Sequence, residues 1–390
     1  MLLVITAVDA QVLGFQFLSG WDDGTNIYHN PLYTPLTWQS LVAFWQHPYY
    51  QLYLPVTYTV WAALVALSRV MAGTSINIGP INPILFHATN LLTHLGAVTM
   101  VFLILEKIFL RIFSLNRRSV FSIPESLTAT LPLRPHYRVA AAAGALLFGL
   151  HPVQVETIAW TSCLRDLLGA FFSLAAIFVF LRFLEEGGKI RKRSILFITA
   201  TLLFLLALGS KPGTVIVPAL ALLLGGLLLL QNEQQREAQP TTMRFFSLCW
   251  LIPWFLIALF AVVITFYVQP AASIARDLIP AWVRPFIAAD SLAFYLFNIL
   301  WPFNLCADYG HSPNVVFKES QLYWTWILPL GVGIALLCWK QRKNFQGNCS
   351  QNARPRSPFG INTCCSTCRN RSIFCCHCYA RTGCHACRTG

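Results

Sequence analysis

The chain has 390 residues, of which 56% are hydrophobic and only 11% are charged, and its net charge is +13. A soluble domain carries about 25% charged residues, so this composition excludes most soluble classes, and the apolar content excludes a disordered protein. Residues 344–390 differ from the rest, because they hold six arginines, no acidic residue and nine of the 13 cysteines. Two kinds of sequence therefore meet near Lys343.

Long apolar runs predict membrane helices, because a helix of about 20 apolar residues crosses the hydrocarbon core. Two further apolar stretches, 51–72 and 286–302, contain or end beside polar aromatic residues and prolines, which favours helices lying at the membrane interface. The sequence thus predicts an all-α, polytopic membrane bundle with about eight transmembrane helices and interfacial helices in its outer loops. The eight runs lie at residues 1–19, 83–106, 139–150, 167–184, 194–209, 213–230, 245–268 and 322–339.

The basic residues predict the orientation, because Lys and Arg accumulate in short cytoplasmic loops. If residues 1–19 run outward and both ambiguous stretches do not span, 16 of the 22 basic residues before residue 344 are cytoplasmic. If residues 51–72 spanned the membrane instead, the two richest basic loops would lie outside. We therefore expect a multi-pass protein of the inner (cytoplasmic) membrane whose site faces the extracytoplasmic side.

With this topology, the unusual polar residues gather on the outer face. Ionisable groups near membrane depth tend to face cavities or substrate paths, so these segments predict one shared polar region. The segments are residues 21–23, 47–50, 151–166, 210–212 and 307–311.

Within that region, Asp22 and Asp23 place two carboxylates side by side, and one of them can act as a base. Arg165 and Lys211 suit an anionic phosphate at the lipid boundary. Further candidates for the site are His151, Glu156 and Asp166.

Structural roles stay open for the same residues. Asp22 and Asp23 could cap a helix, Arg165 and Asp166 could form a structural ion pair, and Lys211 could be a cation in a tight turn. His151 could be a hydrogen-bonded histidine at the interface. Residues 1–343 show no metal-ligand spacing and no nucleotide-binding motif, so we expect no metal, no nucleotide cofactor and no nucleic-acid partner.

Four motifs carry a resemblance to a known family: WDDGTNIYHNP (21–31), NPILFHATNLLTHL (82–95), HPVQVETIAWTSCLRD (151–166) and LALGSKPGTVIVPALALLL (206–224). In this order they resemble the membrane half of bacterial relatives of the transmembrane-and-TPR O-mannosyltransferases. These are polytopic glycosyltransferases of the GT-C class, related more distantly to protein O-mannosyltransferases.

The resemblance implies an inverting transfer of a sugar, usually mannose, from a polyprenyl-phosphate donor to a protein hydroxyl on the extracytoplasmic face. The acidic motif of the family corresponds to Asp22 and Asp23, one of which would be the general base. The basic residues at the donor phosphate would be Arg165 and Lys211. That mechanism requires neither nucleotide nor metal. The alternative is a non-catalytic protein that binds or transports a polyprenyl lipid.

Relatives continue past the equivalent of Lys343 into further membrane helices and TPR repeats. We therefore expect residues 1–343 to be an incomplete GT-C-like domain, and leave open whether it is active or a truncated, inactive copy.

The tail at residues 344–390 has two interpretations besides a plain unstructured basic segment. The spacing Cys365-x₂-Cys368-x₁₅-Cys384-x₂-Cys387 fits a zinc ribbon, although few apolar residues are present to form a core. A shifted reading frame fits better, because permitted codons for residues 368–374, read one base later, give Val-Ala-Thr-Asp-Arg-Tyr. Such a segment looks like one that the family carries at this point, so we expect a frameshift near residues 343–350 and no folded tail.

Sequencing of the locus and mass spectrometry of the protein test this expectation. We expect an interrupted frame near codons 343–350, no peptides from the Cys-rich tail and no stoichiometric zinc in purified material. An uninterrupted frame with matching C-terminal peptides would contradict the frameshift, and bound zinc would favour the ribbon.

Overall fold

The computed structural model describes residues 1–120, 134–186, 190–230, 248–268, 279–303, 305–306, 308–318, 322–335 and 338. The junction near Lys343 and the tail at 344–390 lie outside these residues. The chain divides into two compact units, Met1–Trp326 and Ile327–Gly390. In the second unit, the described residues form a helix over 327–335.

The described part of the first unit contains helices and no β-strand. The fold prediction is confirmed at this level, since the described chain is all-helical. In the described residues of this unit the α-helices are α1 (Leu2–Asp9), α2 (Trp38–Gln46), α3 (Pro55–Met71), α4 (Pro83–Val120), α5 (Arg134–Gly149), α6 (Gln154–Ala159), α7 (Leu164–Glu185), α8 (Ile190–Ser210), α9 (Val217–Leu230), α10 (Ile252–Val268), α11 (Arg284–Leu300), α12 (Pro313–Lys318) and α13 (Leu322–Thr325).

Four helical segments of the described residues are long and apolar enough to cross a membrane: Thr161–Glu185, Ile190–Ser210, Pro212–Leu229 and Cys249–Val268. They coincide with four of the predicted runs, from 167–184 to 245–268. The protein is therefore of the helical membrane type.

The other predicted runs fall on different kinds of helix. Residues 1–19 contain a shorter apolar segment, Leu2–Gly14. Residues 83–106 lie within α4 and residues 139–150 within α5, while residues 322–339 include α13 and the helix at 327–335. The two ambiguous stretches coincide with α3 and α11. The count of eight spans stays a prediction.

The largest core lies where α7, α8 and α10 meet. Lipid removes most of the hydrophobic drive between membrane helices, so their association depends on close packing and interhelical hydrogen bonds. Trp254 of α10 supplies both, because its ring contacts Phe180 and Phe204 at centroid distances of 5.5 and 5.0 Å. Its indole N–H also donates to the Thr201 hydroxyl at 2.9 Å.

A second core lies beneath the long loop between α1 and α3. Tyr33, Phe44, Tyr58 and Trp61 are fully buried there and pack together with Leu164 of α7. Arg69 fixes the loop, because its guanidinium donates to the carbonyl oxygens of Tyr33 and Ile76 and to the hydroxyl of Thr34. This loop therefore forms an ordered layer against the first turns of α7.

Charged side chains collect at the two ends of α7, which at 1.5 Å per residue lie roughly 30 Å apart. At its C-terminal end, Lys107 and Arg111 pair with Glu185, and Lys192 pairs with Glu186. At its N-terminal end, the ion pairs involve Asp22, Arg165, Asp166 and Lys211. The helix between them is apolar, and residues from three of the five predicted polar segments, 21–23, 151–166 and 210–212, meet at its N-terminal end.

A glycine on α7 permits the approach of Lys211. A Cβ on Gly169 would lie 3.1 Å from the Lys211 Cβ and 3.2 Å from the Thr214 Cγ2. Gly169 lies three residues after Asp166, so both face the same neighbour. The absence of a side chain at Gly169 therefore lets the Lys211 segment pack beside Asp166.

We expect Gly169→Leu to destabilise the protein by about 1–3 kcal/mol, because the added side chain overpacks this contact. The matched control is Gly226→Leu on α9, since a Cβ there meets no atom within 4 Å. Thermal unfolding of both variants in nanodiscs measures the difference. Equal melting temperatures for the two variants would contradict the close packing at Gly169.

Candidate functional site

Asp23 is almost completely buried, with 1% of its surface exposed. Its carboxylate accepts hydrogen bonds from the Leu18 N–H at 3.0 Å, the Ser162 N–H at 2.9 Å and the Ser162 hydroxyl at 2.5 Å. A buried carboxylate without such donors would carry a large desolvation penalty. Asp23 therefore fixes the loop after α1 to the turn that precedes α7.

Asp22, the neighbouring carboxylate, has a different environment. Its side chain is 49% exposed, and its Oδ2 accepts from the Arg165 Nη2 at 3.1 Å. Arg165 lies in the first turn of α7, next to the turn that Asp23 holds. Asp22 is therefore accessible and positioned beside a guanidinium.

The ion pair at Asp22 continues into a chain of alternating charges. Arg165 Nε lies 3.5 Å from Asp166 Oδ2, and the other oxygen of Asp166 contacts the Lys211 ammonium. Two carboxylates and two cations thus follow one another without net charge. A guanidinium has five N–H donors and an ammonium three, so both cations have more donors than these pairs need.

Arg165 and Lys211 both line a cavity of 580 Å³, here called the charged cavity. Apart from these two cations, its wall is mostly apolar, with Leu52 and Leu54 from the long loop and Val262 and Phe266 from α10. The arrangement suits an anionic group joined to an apolar chain, because the cations can bind the anion while the apolar wall contacts the chain.

A larger cavity of 950 Å³, here called the aromatic cavity, lies beside Trp21. Trp21, Trp160, Phe294 and Tyr309 line it, and the rings of Trp21 and Trp160 meet edge to face at 5.3 Å. Because Trp21 directly precedes Asp22, the accessible carboxylate belongs to a segment that borders this cavity.

Glu156, on the short helix α6, also lines the aromatic cavity. Burial raises the pKa of its carboxyl group above the ordinary value. A carboxyl group with a raised pKa in a cavity is a candidate for binding or proton transfer. The structure thus places Glu156 in a cavity different from that of Arg165 and Lys211.

His151 links two elements. The Val153 N–H donates to its Nδ1 at 3.3 Å, so the proton lies on Nε2, which is 2.9 Å from the Ile299 carbonyl oxygen. This geometry fits the structural role considered from the sequence, because both ring nitrogens have backbone partners. His151 fixes the turn before α6 against the end of α11.

Two residues of α4 that the sequence did not single out hold the segment bearing Glu156. The Asn90 amide donates to the carbonyl oxygens of Ile158 at 3.2 Å and Trp160 at 2.8 Å. The His94 Nε2 lies 3.0 Å from the Gly149 carbonyl oxygen. The spacing of His87, Asn90 and His94 on one face of an apolar helix is a signal that could have revealed them.

No group of three or more His, Cys, Asp and Glu side chains that could hold a metal ion occurs among the described residues. The site thus contains an accessible carboxylate, two cations in a cavity with a mostly apolar wall, and a second cavity lined by aromatic side chains.

We expect Asp23→Ala to lower the free energy of unfolding by about 3 kcal/mol, because it removes a charged acceptor from three donors. Ser162→Ala removes only one of these bonds, and we expect a loss of about 1–2 kcal/mol. The control is Ser173→Ala, since the buried Ser173 hydroxyl has no hydrogen-bond partner in the described part of the chain. If Ser173→Ala lowered the free energy of unfolding as much as Ser162→Ala, this role of Asp23 would be contradicted.

Comparison of the chain with protein-family models, with curated proteins and with solved structures found no match. The resemblance to the O-mannosyltransferases therefore depends on the four sequence motifs alone.

Proposed function

We propose that this chain is a membrane glycosyltransferase of the GT-C type. It transfers a sugar, mannose by resemblance, from a polyprenyl-phosphate donor to a protein hydroxyl on the extracytoplasmic face of the inner membrane. The proposal includes the eight-span arrangement, with the N-terminal end of α7 on the outer side. The observation that carries it is the accessible Asp22 beside Arg165, which lines the charged cavity, while Trp21, the residue before Asp22, lines the aromatic cavity.

We assign the donor to the charged cavity. The phosphate binds Arg165 and Lys211, and the polyprenyl chain follows the apolar wall toward α10. In this assignment the phosphate competes with Asp22 and Asp166 for the two cations. The phosphate can use the N–H donors that the ion pairs leave free, and its negative charge weakens the attraction of Arg165 for Asp22, so the Asp22 carboxylate becomes available.

Asp22 then acts as the general base. Its carboxylate takes the proton of the acceptor hydroxyl, and the hydroxyl oxygen attacks the anomeric carbon of the sugar. The bond from that carbon to the phosphate oxygen breaks, and the electron pair leaves with the polyprenyl phosphate. Arg165 and Lys211 stabilise the charge that develops on the leaving group. A single displacement inverts the anomeric configuration.

Asp23 has a positioning role in this proposal. Its oxygens accept three hydrogen bonds, so it has little capacity left for an acceptor hydroxyl. Of the two carboxylates in the acidic motif, Asp22 is the one that a substrate can reach.

Transfer and donor binding, measured on the same variants of the full chain in nanodiscs, test the proposal. With polyprenyl-phosphate-mannose and a serine peptide, Asp22→Asn should lower kcat by about 10²–10⁴-fold, the usual contribution of a general base. Binding of polyprenyl phosphate should be unchanged or tighter, because Arg165 loses its competing carboxylate.

The double variant with Arg165→Gln and Lys211→Gln should instead weaken the binding of polyprenyl phosphate. The control is Asp308→Asn, since Asp308 is exposed and its amide variant can still accept from the Gly310 N–H. Normal transfer by Asp22→Asn would overturn the assignment of the base.

The same cavity also suits a non-catalytic protein that binds a polyprenyl lipid, because every polar contact assigned to the donor is with its phosphate. The two functions differ in one outcome. Lipid-phosphate binding that depends on Arg165 and Lys211, without any sugar transfer by the wild-type chain, would favour the binding protein.

A further inference from the structure

Glu156 is the acidic residue of this region whose charge has no partner. Asp22 and Asp166 form ion pairs, and Asp23 accepts three hydrogen bonds. Within the described residues, the Glu156 carboxylate has neither an ion pair nor a hydrogen bond. The residue is exposed, and the cavity wall on one side of it removes part of the water around the carboxylate, which raises its pKa. A partly desolvated carboxylate gains most from a cation, which restores the interactions that water supplied.

The walls around Glu156 favour a cation as well. Aromatic rings attract a cation to their faces through the ring quadrupole, and the aromatic cavity is lined by Trp21, Trp160, Tyr295 and Tyr309. No Lys or Arg contributes to the described lining of this cavity. Its charge is therefore complementary to a basic group that comes from elsewhere.

The remaining polar lining favours a peptide over a lipid tail. Gln16 and Asn298 supply carboxamide groups, which can donate to and accept from the main chain of a peptide. Gln16 and Glu156 are exposed to water, and a hydrocarbon tail packed against them would displace that water without replacing its hydrogen bonds. The 950 Å³ volume is at the upper end of the usual range for binding cavities, so several residues of an extended segment can enter.

The position of the cavity assigns it to the acceptor side. Trp21 lines the aromatic cavity and is followed by Asp22, whose ion-pair partner Arg165 lines the charged cavity. Through these two neighbours the proposed base adjoins both cavities, and the assignment of the donor to the charged cavity leaves the aromatic cavity for the molecule whose hydroxyl is deprotonated.

We infer that the aromatic cavity binds the acceptor as an extended peptide and that Glu156 selects acceptors with a basic side chain near the reacting serine or threonine. This inference depends on the proposed function only where it identifies the bound peptide as the acceptor of the sugar. The peptide preference itself is a binding property and can be measured without transfer.

The test uses two fluorescein-labelled octapeptides that each contain one serine and differ at one position, lysine in the first and norleucine in the second. Fluorescence anisotropy gives the Kd of each for the full chain in nanodiscs. We expect the lysine peptide to bind about tenfold more tightly, a difference of about 1.4 kcal/mol. Glu156→Gln should abolish the preference, and Glu156→Lys should reverse it in favour of a glutamate peptide.

Glu106→Gln is the matched control, because it removes one negative charge from a glutamate that pairs with Arg138 and does not line the cavity. We expect it to keep the lysine preference. Equal affinity of the wild type for both peptides, or a preference that survives Glu156→Gln, would overturn the inference. Failure of both peptides to bind would also overturn it and would favour a lipid as the occupant.

The two proposals fail separately. A lysine preference that depends on Glu156, without sugar transfer under any condition, would refute the glycosyltransferase and leave the peptide site in place. Sugar transfer without such a preference would refute the peptide selection by Glu156 and leave the glycosyltransferase proposal in place.

Discussion

The requirement that a buried carboxylate be hydrogen-bonded determines the local structure of the site. Asp23 can be buried only because Leu18 and Ser162 offer it three donors. These bonds join a loop to a turn 139 residues away along the chain. Among the described residues, Arg165 is the side-chain partner of Asp22, so the position of Asp22 follows largely from the burial of its neighbour. The position of the accessible carboxylate thus depends on a buried neighbour that a ligand does not need to touch.

The membrane environment explains why the charges are at the helix ends. A charged side chain near the bilayer centre costs several kcal/mol, whereas Lys and Arg near the ends of a span can reach the interface. The apolar body of α7 separates the Glu185 ion pairs from those of Arg165 and Asp166. Gly169 contributes as well, because its missing side chain lets the turn that contains Lys211 approach the N-terminal end of the helix. The charged side chains are thereby confined to the two ends of an apolar helix.

Much of this arrangement could be predicted from the sequence, and the limits have physical reasons. Hydropathy predicted the four helices that are apolar enough to span, because a long apolar run needs no tertiary information. The distribution of basic residues predicted that Asp22, Arg165 and Lys211 share one side, and they do meet. The difference between Asp22 and Asp23 was not predictable, since it depends on Ser162, a distant donor. The separation of Glu156 from Arg165 also depends on packing, because both lie within 151–166.

The charge balance of Asp22, Arg165, Asp166 and Lys211 has a consequence for how an anionic ligand arrives. A group of charges that sums to zero produces little field beyond about 8–10 Å, the screening length at physiological ionic strength. Electrostatic steering from bulk water needs an excess of one sign, which this group does not have. An anion would reach Arg165 and Lys211 by short-range encounter, and a lipid-bound anion has that route by lateral diffusion within the bilayer. We therefore expect the rate of encounter to depend on the surface density of the lipid more than on the salt concentration of the medium.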